Sequence, residues 1–504
     1  MSQENLEKII AQQATTIQNL TDEIKLLREQ VAYLTQKRYG KSSEQMPLNG
    51  QTSLFDEPDA QDDGERPRRR RSDYYSYKRQ AHKRKRADLL AALPAEEVHH
   101  ELGDKHCPDC HHELIEIGKQ SVRQELLFIP AQLKRLDHIQ HAYKCKYCSQ
   151  RNYSDKIIKA AVPKAPLNHG LGSASLIAHS LYQKYEMKVP DYRQESDWKK
   201  MGLKVSRQML NYWDLKSSQY YFKPVYDLLK QKLLMRPILH ADETYYTVLE
   251  SKTIKTYYWV FLSGKHDQYG ITLYHHDPSR SGKVALNFLG NYPGYLHCDM
   301  WQAYEQLPKA TLVGCWAHVR RKFHEAVPQQ ASEKSLAQKG LNYCNRMFYL
   351  EQTWENLSKQ ERYQLRQAKL KPLMQEFFNW CEKNKITVLP GSKLGRAINY
   401  TLKHQATFEH VLLDGNLELS NNKAERAVKS LVMGRKNWLF SQSFEGATAS
   451  GFILSLIETA KRNGLDPEKY LNYLLQKLPN EEILDSETLE AYLPWQEKIQ
   501  KNCK

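Results

Sequence analysis

The chain has 504 residues, 40% of them hydrophobic and 26% charged. At roughly 100 to 200 residues per domain this is enough for three or four folded units, which excludes a single-module peptide or a small disulfide scaffold. Seventy-four Lys plus Arg against fifty-eight Asp plus Glu leave a net charge of +16, which favours a polyanionic partner, either nucleic acid or an anionic membrane surface. No stretch approaches the ~18 consecutive apolar residues of a spanning helix, and the residues after Met1 lack the apolar run of a secretory signal. A membrane partner is therefore not expected, and a cytoplasmic location is. Four of the nine cysteines form two C-x-x-C pairs, a metal-binding pattern rather than a disulfide framework.

In chain order, Ile10, Ile17, Ile24 and Val31 alternate with Leu6, Leu20, Leu27 and Leu34 at heptad spacing. Isoleucine and valine at a with leucine at d favour a parallel two-stranded coiled coil, so the segment is expected to join two copies of the chain. From Arg66 to Arg86, eleven of twenty-one residues are Lys or Arg, including Arg68, Arg69, Arg70, Arg71, Lys83, Arg84, Lys85 and Arg86. Tyr74, Tyr75 and Tyr77 lie between the basic clusters. Such an arm is either solvated or neutralises phosphates while its tyrosines stack on bases or sugars. Cys107, Cys110, Cys145 and Cys148 then make two tight turns separated by 34 residues, enough for a closed tetrahedral zinc site. Strands are expected over 121–129 and 133–143. Helices are expected over 173–185, 191–200 and 206–216, with a Gly202 turn before the third. The last two resemble a helix-turn-helix whose Arg207, Gln208 and Asn211 would face bases, although any three-helix packing unit looks similar.

Short β-branched and aromatic runs over 238–241, 256–262, 271–275 and 295–298 mark an α/β core. Two of them end alike, in Leu239-His240-Ala241-Asp242 and Leu296-His297-Cys298-Asp299. Side chains alternate along a strand, so Asp242 shares a face with His240, Asp299 with His297, and Glu243 points the other way. Parallel neighbours would deliver both carboxylates to one sheet edge, where they repel unless a cation lies between them. Oxygen ligands suit Mg²⁺ or Mn²⁺. The two histidines are expected to be buried and hydrogen-bonded rather than catalytic.

A third acid, Glu425, stands alone among Lys423, Arg426, Lys429, Arg435 and Lys436. With Asn422 as N-cap it would close a capping box; at the margin of the helix's buried stripe it would instead suit a metal ligand beside phosphate. Arg320, Arg321 and Lys322 are expected on one helix face, as a DNA contact or a solvated surface. A helix over 447–463, ended by Gly464, and another opening at Asp466-Pro467 read as scaffold.

These motifs together resemble the transposases of the insertion-sequence 66 group. The landmarks are Arg38-Tyr39-Gly40-Lys41-Ser42-Ser43-Glu44, the double C-x-x-C, Tyr192-Arg193-Gln194-Glu195, Ala241-Asp242-Glu243-Thr244, Cys315-Trp316-Ala317-His318-Val319-Arg320-Arg321-Lys322-Phe323 and Asn421-Asn422-Lys423-Ala424-Glu425-Arg426. Arg435-Lys436-Asn437-Trp438-Leu439-Phe440 and Ser455-Leu456-Ile457-Glu458-Thr459-Ala460 complete the set. The resemblance implies a multidomain α/β protein with an RNase H-like core. Its acidic triad would be Asp242, Asp299 and Glu425, holding two Mg²⁺ (or Mn²⁺) ions for DNA cleavage and strand transfer, with Zn²⁺ structural. The sequence departs from the group at Asp299-Met300-Trp301, where Asp-Gly-Tyr is usual, and at Tyr245, where proline is common.

The expected division is a coiled-coil dimerisation helix (1–38), linker and basic arm (39–98), zinc ribbon (99–160) and helical DNA-binding region (161–232). An RNase H-like core follows in two parts (233–330 and 391–464), split by an all-helical insertion (331–390), before a C-terminal helical region (465–504). Terminal inverted repeats and target DNA are the expected partners, with a homodimer or higher multimer and accessory proteins of the same element. Two alternatives stay open: a non-catalytic zinc-containing DNA-binding regulator, and an RNase H-like nuclease that cuts without joining.

Overall fold

The computed structural model describes residues 131–144 and 157–504 except 169, 254 and 329–334, and of the earlier chain only Gln13. The coiled coil, the basic arm, the strand over 121–129 and the four paired cysteines lie outside the described residues. The strand expected over 133–143 shrinks to β1 (Ala142–Lys144), paired antiparallel with β2 (Ile157–Lys159). No described strand pairs with 133–141, and Leu136 and Ile139 there are exposed.

Ser173 caps α1 (Ala174–Tyr185) by accepting the Leu176 N–H, and the helix buries Ile177, Ala178, Leu181 and Tyr185. Helix α2 (Asp191–Lys200) ends in a turn where Gly202 takes φ 90°, a conformation that suits glycine, and α3 (Arg207–Ser217) opens on a Ser206 cap. Helix α4 (Lys223–Leu234) then leads into the sheet.

That sheet has five strands in the order β5-β4-β3-β6-β7. Strands β3 (Ile238–Tyr246), β4 (Thr256–Ser263) and β5 (Thr272–Asp277) form an antiparallel meander, while β6 (Tyr295–Cys298) and β7 (Thr311–Gly314) run parallel to β3. Strand β3 is longer than its apolar run indicates because β4 pairs with it out to Tyr246↔Thr256. Strand β7, Thr311–Gly314, is an addition to the strands expected from the sequence. Helix α5 (Gly282–Leu289) covers one face, with Phe288 stacked on Phe261 at 4.0 Å. Helix α6 (Trp316–Ala326) follows β7.

All regular structure described between α6 and residue 414 is helical: α7 (Leu336–Thr353), α8 (Lys359–Leu365), α9 (Lys371–Lys385), α10 (Lys393–Lys403) and α11 (Gln405–Glu409), with short π and 3₁₀ turns. The helical run thus extends past 390, the limit expected from composition. The chain returns to the sheet with α12 (Asn422–Trp438), which packs on β3, and α13 (Phe444–Arg462), which packs on β5. Ser455 Oγ accepts the Tyr274 N–H at 2.8 Å and Thr459 Oγ1 that of Thr272 at 3.0 Å, so the edge strand's free donors are covered. Helices α14 (Pro467–Lys477), α15 (Ser486–Glu490) and α16 (Glu497–Asn502) close the chain. Among the described residues no helix is long and apolar enough to cross a membrane.

Candidate active site

The two L-H-x-D segments do lie side by side and parallel. Ile238 pairs with Tyr295, Leu239 with Leu296 and His240 with His297. Strand β6 stops at Cys298, and Met300 turns the chain away at φ 67°. Asp299 therefore stands at the strand's carboxyl end while Asp242 rides on the β3–β4 ribbon that continues beyond it. Asp242 Oδ1 accepts the Glu243 N–H at 2.8 Å, and Asp299 Oδ1 accepts that of Trp301 at 3.1 Å. Burial pushes the Asp242 carboxyl up to about 8, helped by the like charges of Glu243, Asp299 and Glu425. Asp299 and Glu425 thus lie near enough to Asp242 for their charges to reach its carboxyl.

Glu425 is not part of a capping box. Helix α12 begins one residue earlier than expected, with Asn421 as the N-cap residue and no side-chain cap. The Glu425 carboxylate turns to α6 instead, where Arg321 Nη2 donates to Oε2 at 3.2 Å and His318 Nε2 stands 3.5 Å from Oε1. Oε1 is buried without a hydrogen-bond partner, as is His318 Nδ1. A buried carboxylate oxygen lacking a donor, near an aspartate whose ionisation is suppressed by burial and by neighbouring acids, is a donor set that fits a hard divalent cation.

Cys315, His318 and Glu425 also bring ligand atoms within 4.8 Å of one another. Burial pushes the Cys315 thiol up to about 11, and its sulfur already accepts the Asn421 N–H at 3.1 Å, so Cys315 holds the backbone rather than a cation.

On the opposite face of β3, Glu243 accepts from Arg280 Nη2 at 2.6 Å, Arg280 Nε at 3.1 Å and Tyr304 OH at 2.7 Å. The Arg280 guanidinium lies 4.1 Å over Trp301, just past the Met300 turn. Beneath the acids, His240 and His297 are fully buried and stacked at 4.3 Å. His240 Nε2 lies 3.1 Å from Glu418 Oε1, and Lys423 Nζ lies 3.5 Å from the same oxygen. Burial pushes Lys423 down to about 8. Lys423, expected to contact DNA, is half-buried and turns its ammonium to Glu418.

The expectation of one basic face on α6 also fails, because consecutive helical residues point about 100° apart. Arg320 donates to Asn345 Oδ1 at 2.7 Å, Arg321 meets Glu425, and Lys322 lies 4.5 Å over the Tyr400 ring. Arg426 and Lys436 are exposed on α12, while Arg435 is half-buried over Tyr245 at 3.9 Å and donates to its carbonyl. Arg207, Gln208 and Asn211 all lie exposed on the first turns of α3. Sequence reading missed the partners of Glu425 and the bonds made by Asn421; the C-x-x-H spacing of Cys315 and His318 was the available signal.

Residues 104–149, which contain all four paired cysteines, match the zinc-finger binding domain of transposase IS66. Residues 455–495 match the IS66 C-terminal element, and 26–98 a model described as Transposase C of IS166 homeodomain. Three proteins of Sinorhizobium fredii (strain NBRC 101917 / NGR234), each named only as uncharacterized, are similar to the chain. The protein y4jD is 27% identical over 496 residues, covering 93% of this chain and 94% of its own. For y4hP the figures are 26% over 401 residues, 75% and 71%, and for y4qI 27% over 387 residues, 72% and 70%. Residues 169–449, more than half the chain and the whole stretch that gathers the acids, match the model of the Transposase IS66 family, and the chain belongs to that family.

Proposed function

We propose that the protein is the transposase of its own insertion sequence, binding the element's terminal repeats and catalysing metal-dependent DNA cleavage and strand transfer. The observation that carries this reading is that parallel β3 and β6 bring Asp242 and Asp299 to one sheet edge, with Glu425 near enough for its charge to reach Asp242. An RNase H-like assignment of the core draws support from the strand order, with an antiparallel meander joined to two parallel strands and the Glu425 helix against β3.

Asp242, Asp299 and Glu425 would hold Mg²⁺ or Mn²⁺. Such ions would supply activation of the attacking oxygen and stabilisation of the leaving one. Arg321 and His318 orient the Glu425 carboxylate. Arg426 and Lys436 face outward from the same helix, ready to neutralise phosphates. The reaction is in-line phosphoryl transfer: water frees a 3′-hydroxyl at the element's end, and that hydroxyl attacks target DNA. The zinc-finger region, the basic arm and α3 hold the terminal repeat, and the heptad segment pairs two copies.

Purified protein incubated with labelled element-end DNA, target plasmid and Mg²⁺ is the test. Joined product establishes the transposase reaction. Cutting without joining assigns a nuclease, and protection of the ends without cutting assigns a regulator.

A further inference from the structure

Asn421 links three of the elements that build the site. It is the N-cap residue of α12, yet its side chain makes no capping bond. Its Nδ2 instead donates to the Ala241 carbonyl at 2.7 Å, and its Oδ1 faces His240 Nδ1 at 2.9 Å, as acceptor. Its own N–H donates to Cys315 Sγ at 3.1 Å, next to the start of α6, and its carbonyl accepts the Glu425 N–H at 3.2 Å. The residue is 1% exposed.

The position of these bonds along the sheet gives them their meaning. The β3–β6 ladder ends at His240↔His297, so the Ala241 carbonyl, immediately before Asp242, lies past the last pair. Splaying β6 away at that point opens the sheet edge for the site and leaves the carbonyl in need of a donor, which the Asn421 amide supplies. Asp242 and the backbone of Glu425 are thereby joined through a single buried residue. An aspartate of the same shape has no N–H to give and would set oxygen against oxygen. A leucine of similar size would strand both the Ala241 carbonyl and His240.

We propose that Asn421 is a positioning residue that fixes the separation of Asp242 from Glu425 and so sets the affinity of the triad for a divalent cation. This rests on the metal-holding role of the triad given under Proposed function. Asn421 acts on the acids through the Ala241 carbonyl and the Glu425 amide rather than by touching the cation.

The test is Mn²⁺ binding to the full-length, zinc-loaded protein, followed by electron paramagnetic resonance. Asp242→Ala identifies the triad-dependent ions. Asn421→Asp and Asn421→Leu are expected to weaken that binding at least tenfold, with element-end DNA affinity unchanged. Ser455→Ala, which removes a buried hydrogen bond two strands away, is expected to bind Mn²⁺ as the parent does. In cleavage assays the Mn²⁺ needed for half-maximal rate should rise by the same factor in the Asn421 variants. Mn²⁺ binding by Asn421→Leu within twofold of the parent overturns the proposal, as does an equal loss in Ser455→Ala or a parent lacking any Asp242-dependent ion. A parent that binds Mn²⁺ through Asp242 but neither cuts nor joins DNA removes the transposase reading alone, and the binding titration still decides the role of Asn421.

Discussion

Asp242 and Asp299 occupy equivalent positions on adjacent parallel strands. Each follows by four residues the first pair of the ladder, Ile238↔Tyr295, and the ladder's last pair, the histidines two residues before them, stack directly beneath. The repeated L-H-x-D ending is therefore a structural repeat, with the ring pair as floor and the carboxylates as rim.

Removing any one acid from that rim should stop the chemistry without releasing the DNA. Asp242→Ala, Asp299→Ala and Glu425→Ala are each expected to lower strand transfer at least about a hundredfold, equivalent to ~2.7 kcal/mol in the barrier. End binding by gel shift should persist. Joining at the parental rate in the Glu425 variant would remove that residue from the triad.

Arg280 holds the buried Glu243 carboxylate on the other face of β3, and Glu243 retains 1% of its side-chain exposure while Arg280 keeps 44%. Arg280→Ala leaves that carboxylate with Tyr304 and should cost about 2 kcal/mol in urea unfolding, below the figure for a fully buried pair because Arg280 is partly solvated. A loss under ~0.5 kcal/mol would mean that Tyr304 alone suffices.

Glu418 supplies a pH signature. Burial raises its pKa, but the His240 ring 3.1 Å away, then Lys423, outweigh this and hold it well below the usual glutamate range. The unfolded chain consequently binds more protons near pH 4, so this stabilisation is present above about 4.3 and is lost as pH falls further. Glu418→Gln should be less stable than the parent at pH 7 by about 1–3 kcal/mol, with the gap narrowing below pH 4. A gap that stays constant from pH 7 to 3 would contradict the ionised pair.

Base reading by α3 has its own signature. Alanine at Arg207, Gln208 or Asn211 should weaken binding to the terminal repeat by about 1–3 kcal/mol per lost base contact while sparing scrambled DNA. Fluorescence anisotropy on the two duplexes separates this from a packing role, which would weaken both equally or neither.

Cys107→Ser should lose one zinc per chain by elemental analysis, together with repeat binding, because a closed site with three remaining thiolates holds its ion poorly. Retention of stoichiometric zinc would exclude Cys107 from the ligand set.

The sequence by itself singled out the three acids, the cysteine pairs and the runs that form strands β3 to β6, because alternation, ligand spacing and apolar runs are local properties of a chain. It could not determine where β3 ends, since Asp242 lies mid-strand only through pairing with β4. It could not choose between a cap and a ligand for Glu425, because both need the same spacing. Tertiary structure placed Asp242 within β3 and left Glu425 outside any capping box. It turned Asn421 across to β3, Glu425 toward Arg321 and His318, and Lys423 inward to Glu418, since the partner of a polar side chain is set by which elements pack against it, far apart in sequence.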